Sequence, residues 1–293
     1  MGVDVTIKNK QLFKKPLTID ELTMGKYGCG TVDQYGRNTC KPGNGDIVFY
    51  DKNRIGRGVI IFSWSDSVKD SVDLRLNSFS TFRDIDMFYE FIRNIMKIWK
   101  AKDFEQDGSK YTANDIDRLA DEQKEFSIKY MSEIESIVND SNGHITIPSA
   151  MFDIDIAVER LKEFGNSKDT DGYADYLHGL QSIDAYYAVP SMYESREKKN
   201  VFFGNYVITT DTDTIFPLKA SVPMMFKNPN TGKALECDDF RVAFFDYDKK
   251  KPIGSLSFDD FAQKAGIANC PKLDETHIFL KGMTAGEMEE LLK

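Results

Sequence analysis

Cysteine is scarce: Cys29, Cys40, Cys237 and Cys270 are the only four in 293 residues. So few and so scattered thiols exclude a disulfide-stapled secreted scaffold. The step from Cys29 to Cys40 matches no structural zinc signature, whose ligands pair about two to four residues apart. Histidine is scarcer still, with His144, His178 and His277 alone. None lies at a metal-binding spacing from a second ligand-type residue or beside a G-x-S-x-G elbow. Long apolar runs are missing, Val59 to Phe62 being the best, so no membrane-spanning helix is expected. Positive charge is short as well: 38 Lys and Arg face 47 Asp and Glu, a net charge of −9. That sign opposes long-range attraction of a phosphate backbone, and no nucleic-acid partner is expected. Two basic tracts, Lys8, Lys10, Lys14, Lys15 and Lys249 to Lys251, read as solvated faces. The opening MGVDVTIKNK lacks an apolar signal region, which makes the cytoplasm the expected compartment.

What is present is material for a dense core. Apolar residues make up 41% of the chain and aromatics 12%, while nine prolines leave most elements uninterrupted. Alternation at Val3, Val5 and Ile7 predicts a strand, and 47–50, 59–64 and 72–79 read as three more. The stretch from Gly25 to Gly45 reads as a glycine-rich surface loop. It holds neither G-x-G-x-x-G nor a G-K-[ST] ending and therefore no phosphate cradle. Steps of three and four at Ile85, Phe88, Ile92, Ile95 and Trp99 predict an amphipathic helix over 82–99. A second helix over 113–138 is expected to bury Ile116, Leu119, Phe126, Tyr130, Ile134 and Ile137. Turn formers at 139–143 then mark a boundary between a 1–141 half and a strand-rich 142–293 half. In the latter, 145–156, 201–209, 215–226, 241–247 and 277–280 read as strands, and 157–164 and 173–180 as helices.

Five segments, TIDEL, TFRDI, TANDI, SFDDF and TAGEM, place Ser or Thr three residues before an acid at the start of an apolar periodic run. That is the capping-box pattern, which is structural. The opening TIKNKQLFKKPLTIDEL, the segment FEQDGSKYTANDIDRL and the total length together resemble an uncharacterised bacterial family known as a domain of unknown function. The resemblance implies an intracellular bacterial protein and no particular activity.

Four features invite a chemical reading. DFEQDGSKYTAN imitates a calcium loop through Asp103, Glu105, Asp107 and Gly108, but Asn114 stands where the bidentate carboxylate belongs. SKDTDGYADYLH fails at both ends, at Ser167 and at His178. In VITTDTDTIFPL a strand runs into Asp211 and Asp213, an arrangement similar to the D-x-D of metal-dependent glycosyltransferases. Such paired hard-oxygen ligands suit magnesium or manganese. The same two residues also suit a turn between strands. Finally, Tyr173, Tyr176, Tyr186, Tyr187 and Tyr193 crowd one acidic stretch, and tyrosine is favoured at interfaces because it offers large contact area at low entropy cost.

The sequence therefore predicts an α+β protein with mainly antiparallel sheets, helices packed on one face and two intimately packed halves. Because no reactive cluster stands out, the expected function is a soluble, non-enzymatic protein-interaction or binding protein. It needs no cofactor, has no membrane partner, and has the tyrosines as a candidate interface. The alternative is a metal-dependent transferase or hydrolase using Asp211 and Asp213.

Overall fold

Alternating burial fixes the first sheet. In β1 (Gly2–Lys8), Val3, Val5 and Ile7 face inward while Asp4, Thr6 and Lys8 do not. The computed structural model describes residues 2–137, 143–223, 226–237 and 239–293. Two compact units emerge, Met1–Ser182 and Ile183–Lys293.

In the first unit, β1 is followed by α1 (Ile19–Thr23), β2 (Tyr27–Thr31), β3 (Gly45–Asp51), β4 (Val59–Trp64), β5 (Ser71–Asn77), α2 (Phe82–Trp99), β6 (Phe104–Gln106) and β7 (Ser109–Tyr111). The strands form one seven-stranded sheet in the order β2-β3-β4-β5-β1-β6-β7. Every neighbouring pair in it is antiparallel. The expected helix over 82–99 is α2, and its Ile85, Phe88, Ile92, Ile95 and Trp99 are all 0% exposed. This stripe packs with Val5, Ile7, Phe49, Ile61, Leu74 and Leu76 of the sheet in one core.

The start of α2 does more than cap a helix. Asp84 completes the box with Thr81, and its buried carboxylate also accepts the amides of Arg57 and Gly58, each at 2.9 Å. Capping boxes are complete at Thr18–Glu21, Thr81–Asp84 and Thr284–Glu287, and at Thr112 the Asp115 carboxylate accepts the Thr112 amide at 2.9 Å while the Asp115 amide donates to the Thr112 carbonyl. Ser257 caps its helix by accepting from the Asp260 amide.

The rest of this unit comprises α3 (Ile116–Ser132), α4 (Ile134–Ile137), β8 (His144–Ile147), β9 (Ile154–Ala157), α5 (Val158–Ser167) and α6 (Thr170–Gln181). Here the structure corrects several expectations. The helix expected over 113–138 opens with a 3-10 turn and breaks at Glu133, whose φ of −98° and ψ of 10° leave the helical region. Phe126 and Ile137 are 44% and 38% exposed, and Phe126 stacks on Tyr130, which stacks on Phe79. Val138 lies outside the described residues. The stretch 145–156 is not one strand but the arms of the β8–β9 hairpin. Its intervening loop sends Ala150 against Val48 and Ile55 on the far side of β3. The glycine-rich stretch holds β2, where Gly30 is required because a Cβ there would stand 2.6 Å from the Cys40 amide nitrogen.

The boundary expected at 141–142 falls outside the described residues. Residues 143–182 belong to the first unit, where Arg54 pairs with Asp171 and Asp175 of α6 and Gln181 donates to the Gly56 carbonyl at 2.9 Å.

The second unit contains β10 (Tyr186–Tyr187), β11 (Ser191–Glu194), β12 (Phe202–Thr209), β13 (Thr214–Pro217), β14 (Asp239–Asp246), β15 (Lys251–Ser257), α7 (Phe258–Lys264), β16 (His277–Leu280) and α8 (Ala285–Leu291). Two sheets, β10-β13-β16 and β11-β12-β14-β15, share a core of Tyr206, Phe216, Phe244, Phe258, Phe261 and Met288. The β10–β13 and β12–β14 pairs are parallel and the others antiparallel. The strand expected over 215–226 ends at Pro217. The chain is thus an α+β protein with mainly antiparallel sheets.

Candidate functional site

Between β12 and β13 the chain turns through the D-x-D residues. Asp211 adopts φ +56°, a left-handed conformation that suits an Asp in a turn, and its amide donates to the Met283 carbonyl at 2.9 Å. Thr212 and Thr214 bond back through their hydroxyls to the Thr210 and Thr212 carbonyls. Asp213 accepts from Lys281 Nζ at 2.9 Å and from the Gly282 amide at 2.8 Å. The Lys281 ammonium first, then the Gly282 amide, hold the Asp213 carboxyl below its ordinary range. Gly282 must be glycine, since a Cβ would meet the Asp211 carbonyl carbon at 2.7 Å.

This junction borders an open cleft of about 360 Å³ lined by Asp184, Tyr186, Asp211, Asp213 and Lys281. Its three carboxylates do not converge to within 4.8 Å of one another. Asp213 is already neutralised by a lysine, so the cleft offers a cation a divided set of oxygens rather than a closed ligand sphere.

The five tyrosines fall in different surroundings within the two units. Tyr173, on α6, is 1% exposed and donates its hydroxyl to the Phe79 carbonyl at 2.7 Å, with burial pushing its pKa up. Tyr176 lies against Phe164 and under Arg160 in the same unit. In the second unit Tyr186 is 40% exposed at the cleft, and Tyr193, 49% exposed, stacks on Phe203. Tyr187 is engaged with His277.

That engagement belongs to a relay the sequence reading passes over. His277 Nδ1 lies 3.1 Å from Asp274 Oδ1, and its Nε2 lies 3.1 Å from the Tyr187 hydroxyl. Asp274 also accepts the amides of Thr276 and His277, at 2.9 and 2.7 Å. The carboxylate orients the imidazole, and the imidazole ties β10 to β16 across β13. Its signal was the D-x-x-H spacing. A phenol, not a serine or cysteine, ends this relay. His178 accepts the Ile55 amide at 3.1 Å.

The calcium-like segments are occupied by other roles. Asp107 (φ +48°) and Gly108 (φ +81°) form the two-residue turn between β6 and β7. Asp103 pairs with Lys10 at 2.9 Å. Asp169 caps α6 by accepting the Gly172 amide.

One surface feature stands out against this background. Leu12 and Phe13 are 90% and 88% exposed, on the loop between β1 and α1. The loop is fastened on both sides of the pair: the Asn9 amide donates to the Asp70 carbonyl at 2.8 Å and the Leu17 amide to the Val68 carbonyl at 2.9 Å. Trp99 Nε1 donates to the Lys15 carbonyl at 3.1 Å. Lys10, Lys14 and Lys15 pair with Asp103, Asp70 and Glu21. The first basic tract is therefore not only a solvated face, because an aromatic side chain stands within it. The signal available in the sequence was two adjacent large apolar residues, QLFKK, that fit neither the strand before nor the helix after.

No curated protein and no solved structure matches the chain. A family model does, over residues 2–291, and the chain belongs to the family described as Domain of unknown function (DUF4299).

Proposed function

We propose that this is a non-enzymatic protein-binding protein whose principal contact is the Leu12–Phe13 pair. The supporting observation is that two adjacent large apolar side chains stand 90% and 88% exposed on a loop fastened at both ends. Scattered single apolar residues on a surface need no explanation, but an adjacent pair on a loop tied at Asn9 and Leu17 is a different case. Fully burying a Leu or a Phe is worth about 1.5–3 kcal/mol each, and a loop already ordered loses little entropy when it docks. Tyr186 and Tyr193 add exposed aromatic area in the second unit. Four free thiols and the acidic composition fit a reducing bacterial cytoplasm, which we take as its compartment.

A second reading, a metal-dependent transferase using Asp211 and Asp213, is supported by the cleft those residues line. We rank it lower because Asp213 is already ion-paired with Lys281.

The test replaces Phe13 by the photoreactive residue benzoylphenylalanine and irradiates cells that make the protein. A discrete adduct, absent when the same label is placed at Phe126, is expected. Labelling no stronger at position 13 than at position 126 would remove the reading.

A further inference from the structure

We infer that the partner receives Leu12 and Phe13 in an uncharged apolar pocket on a protein, not on an anionic membrane and not within an acidic rim. The inference rests on the binding role proposed for the pair and identifies the chemistry of its occupant.

Taken as sequence, residues 8–15 carry four lysines, a leucine, a phenylalanine and no acid. That composition matches segments that settle on anionic lipid, with lysines on headgroups and apolar side chains in the boundary. The fold cancels it. Lys10 Nζ lies 2.9 Å from Asp103, Lys14 Nζ lies 2.6 Å from Asp70, and Lys15 is bonded to Glu21. Asp70 and Asp103 come from 56 and 93 positions away and are brought to the loop by folding, while Glu21 lies six residues past Lys15. Among the described residues, Lys8 is the one of these four lysines with no acid within ion-pair distance.

Three of the four lysines of residues 8–15 are thus paired with acids, which leaves the segment itself little net charge for a membrane surface to attract, and two side chains fall short of the two membrane signals that stable anchoring takes. An acidic rim on a protein partner would have to displace Asp103, Asp70 and Glu21 from their lysines. Two adjacent apolar side chains flanked in the chain by ion-paired lysines instead match the common arrangement of a binding hot spot, a desolvated apolar centre with neighbouring contacts of little net energy.

The test uses the whole chain in three arms. With benzoylphenylalanine at position 13, adduct yield in a cell lysate is compared at 50 and 500 mM potassium chloride. A change within about twofold is expected, because apolar burial is not screened, whereas a rim of ion pairs would lose about tenfold or more. Mass spectrometry of the adduct should place the attachment among aliphatic or aromatic residues of the partner, and attachment beside Asp or Glu would overturn the inference. The unlabelled protein is then sedimented with vesicles of phosphatidylcholine containing about one-third phosphatidylserine. No binding is expected, and binding lost in a Leu12→Ser, Phe13→Ser variant would overturn it in favour of a membrane. Absence of any adduct defeats the binding role itself, whereas an adduct that salt abolishes defeats only the uncharged pocket.

Discussion

Asp213 and Lys281 join the turn before β13 to the end of β16: the carboxylate Oδ2 lies 2.9 Å from Nζ, while Oδ1 takes the Gly282 amide at 2.8 Å. One of the two acids of the D-x-D pattern is thus a fastening between strands. The pair has a pH signature. The lysine and the amide favour the ionised form, so the Asp213 pKa lies below its ordinary 3.8 in the folded chain. A depressed carboxylate contributes stability that is fully present above the unfolded value and is lost as pH falls through the folded one.

Replacing Asp213 by Asn should therefore lower stability at pH 7 and flatten the acid limb below about pH 4. Urea melts of parent and variant at pH 7 and pH 3 check this. Curves that stay parallel between the two pH values would show that the carboxylate makes no difference to folding.

The same geometry predicts that manganese together with a nucleoside diphosphate leaves the melting temperature unchanged. Any ligand that binds only the folded state raises it with the logarithm of concentration. A dose-dependent rise in the parent, absent from an Asp211→Asn, Asp213→Asn variant that keeps its fold, would establish the transferase reading over the binding one.

The core is expected to discriminate sharply between two helices that look alike in sequence. Phe88→Ala or Ile92→Ala, each removing a side chain that is 0% exposed, should cost about 2–5 kcal/mol. Phe126→Ala, at 44% exposure, should cost well under half of that. Denaturant midpoints decide, and equal losses would mean that α3 is turned the other way.

That contrast also shows what could be read from the chain. The period of α2 is so regular that both its ends and its buried stripe follow from spacing, and the capping pairs mark its start and those of four other helical segments. The exposure of Phe126 could not be read, because Phe126 and Tyr130 keep a helical spacing whether they face a core or stack on one another. Residue type likewise favours an interface for the tyrosines, but only the tertiary neighbours show that Tyr173 is buried with its hydroxyl on the Phe79 carbonyl and that the Tyr187 hydroxyl meets His277. The ion pairs around Lys10, Lys14 and Lys15 join residues 56 and 93 positions apart as well as one six apart, and spacing alone cannot show such distant partners.

Asp84 carries more than its cap. Its carboxylate accepts the Thr81 amide and hydroxyl and the amides of Arg57 and Gly58, all in buried surroundings. Asp84→Ala would strand several donors at once, at about 1–3 kcal/mol for each one left without a partner. We expect a loss of at least about 2 kcal/mol, which a urea melt would show. A loss near 0.5 kcal/mol, the ordinary value for a surface change, would mean that water replaces the carboxylate.

Leu12 and Phe13 should behave in the opposite way, and this separates a binding surface from a piece of core. With 90% and 88% of their surface already in water, they bury almost nothing on folding, so Leu12→Ser with Phe13→Ser should alter stability by no more than about 0.5 kcal/mol. Five residues on, Leu17 is 1% exposed within the same core as Trp99, and Leu17→Ala should cost about 2–5 kcal/mol. Thermal and urea melts of both variants, run beside the photo-crosslinking, give the comparison. If the double serine variant is as damaged as Leu17→Ala, the loop is folded inward in solution and its apolar pair belongs to the protein's own interior. If it melts like the parent and the chain carrying benzoylphenylalanine at position 13 forms no adduct, the pair is exposed but idle. Parental stability of the double serine variant together with a discrete adduct from the labelled chain is the outcome that the fastened loop, the buried Leu17 and the ion-paired lysines jointly require.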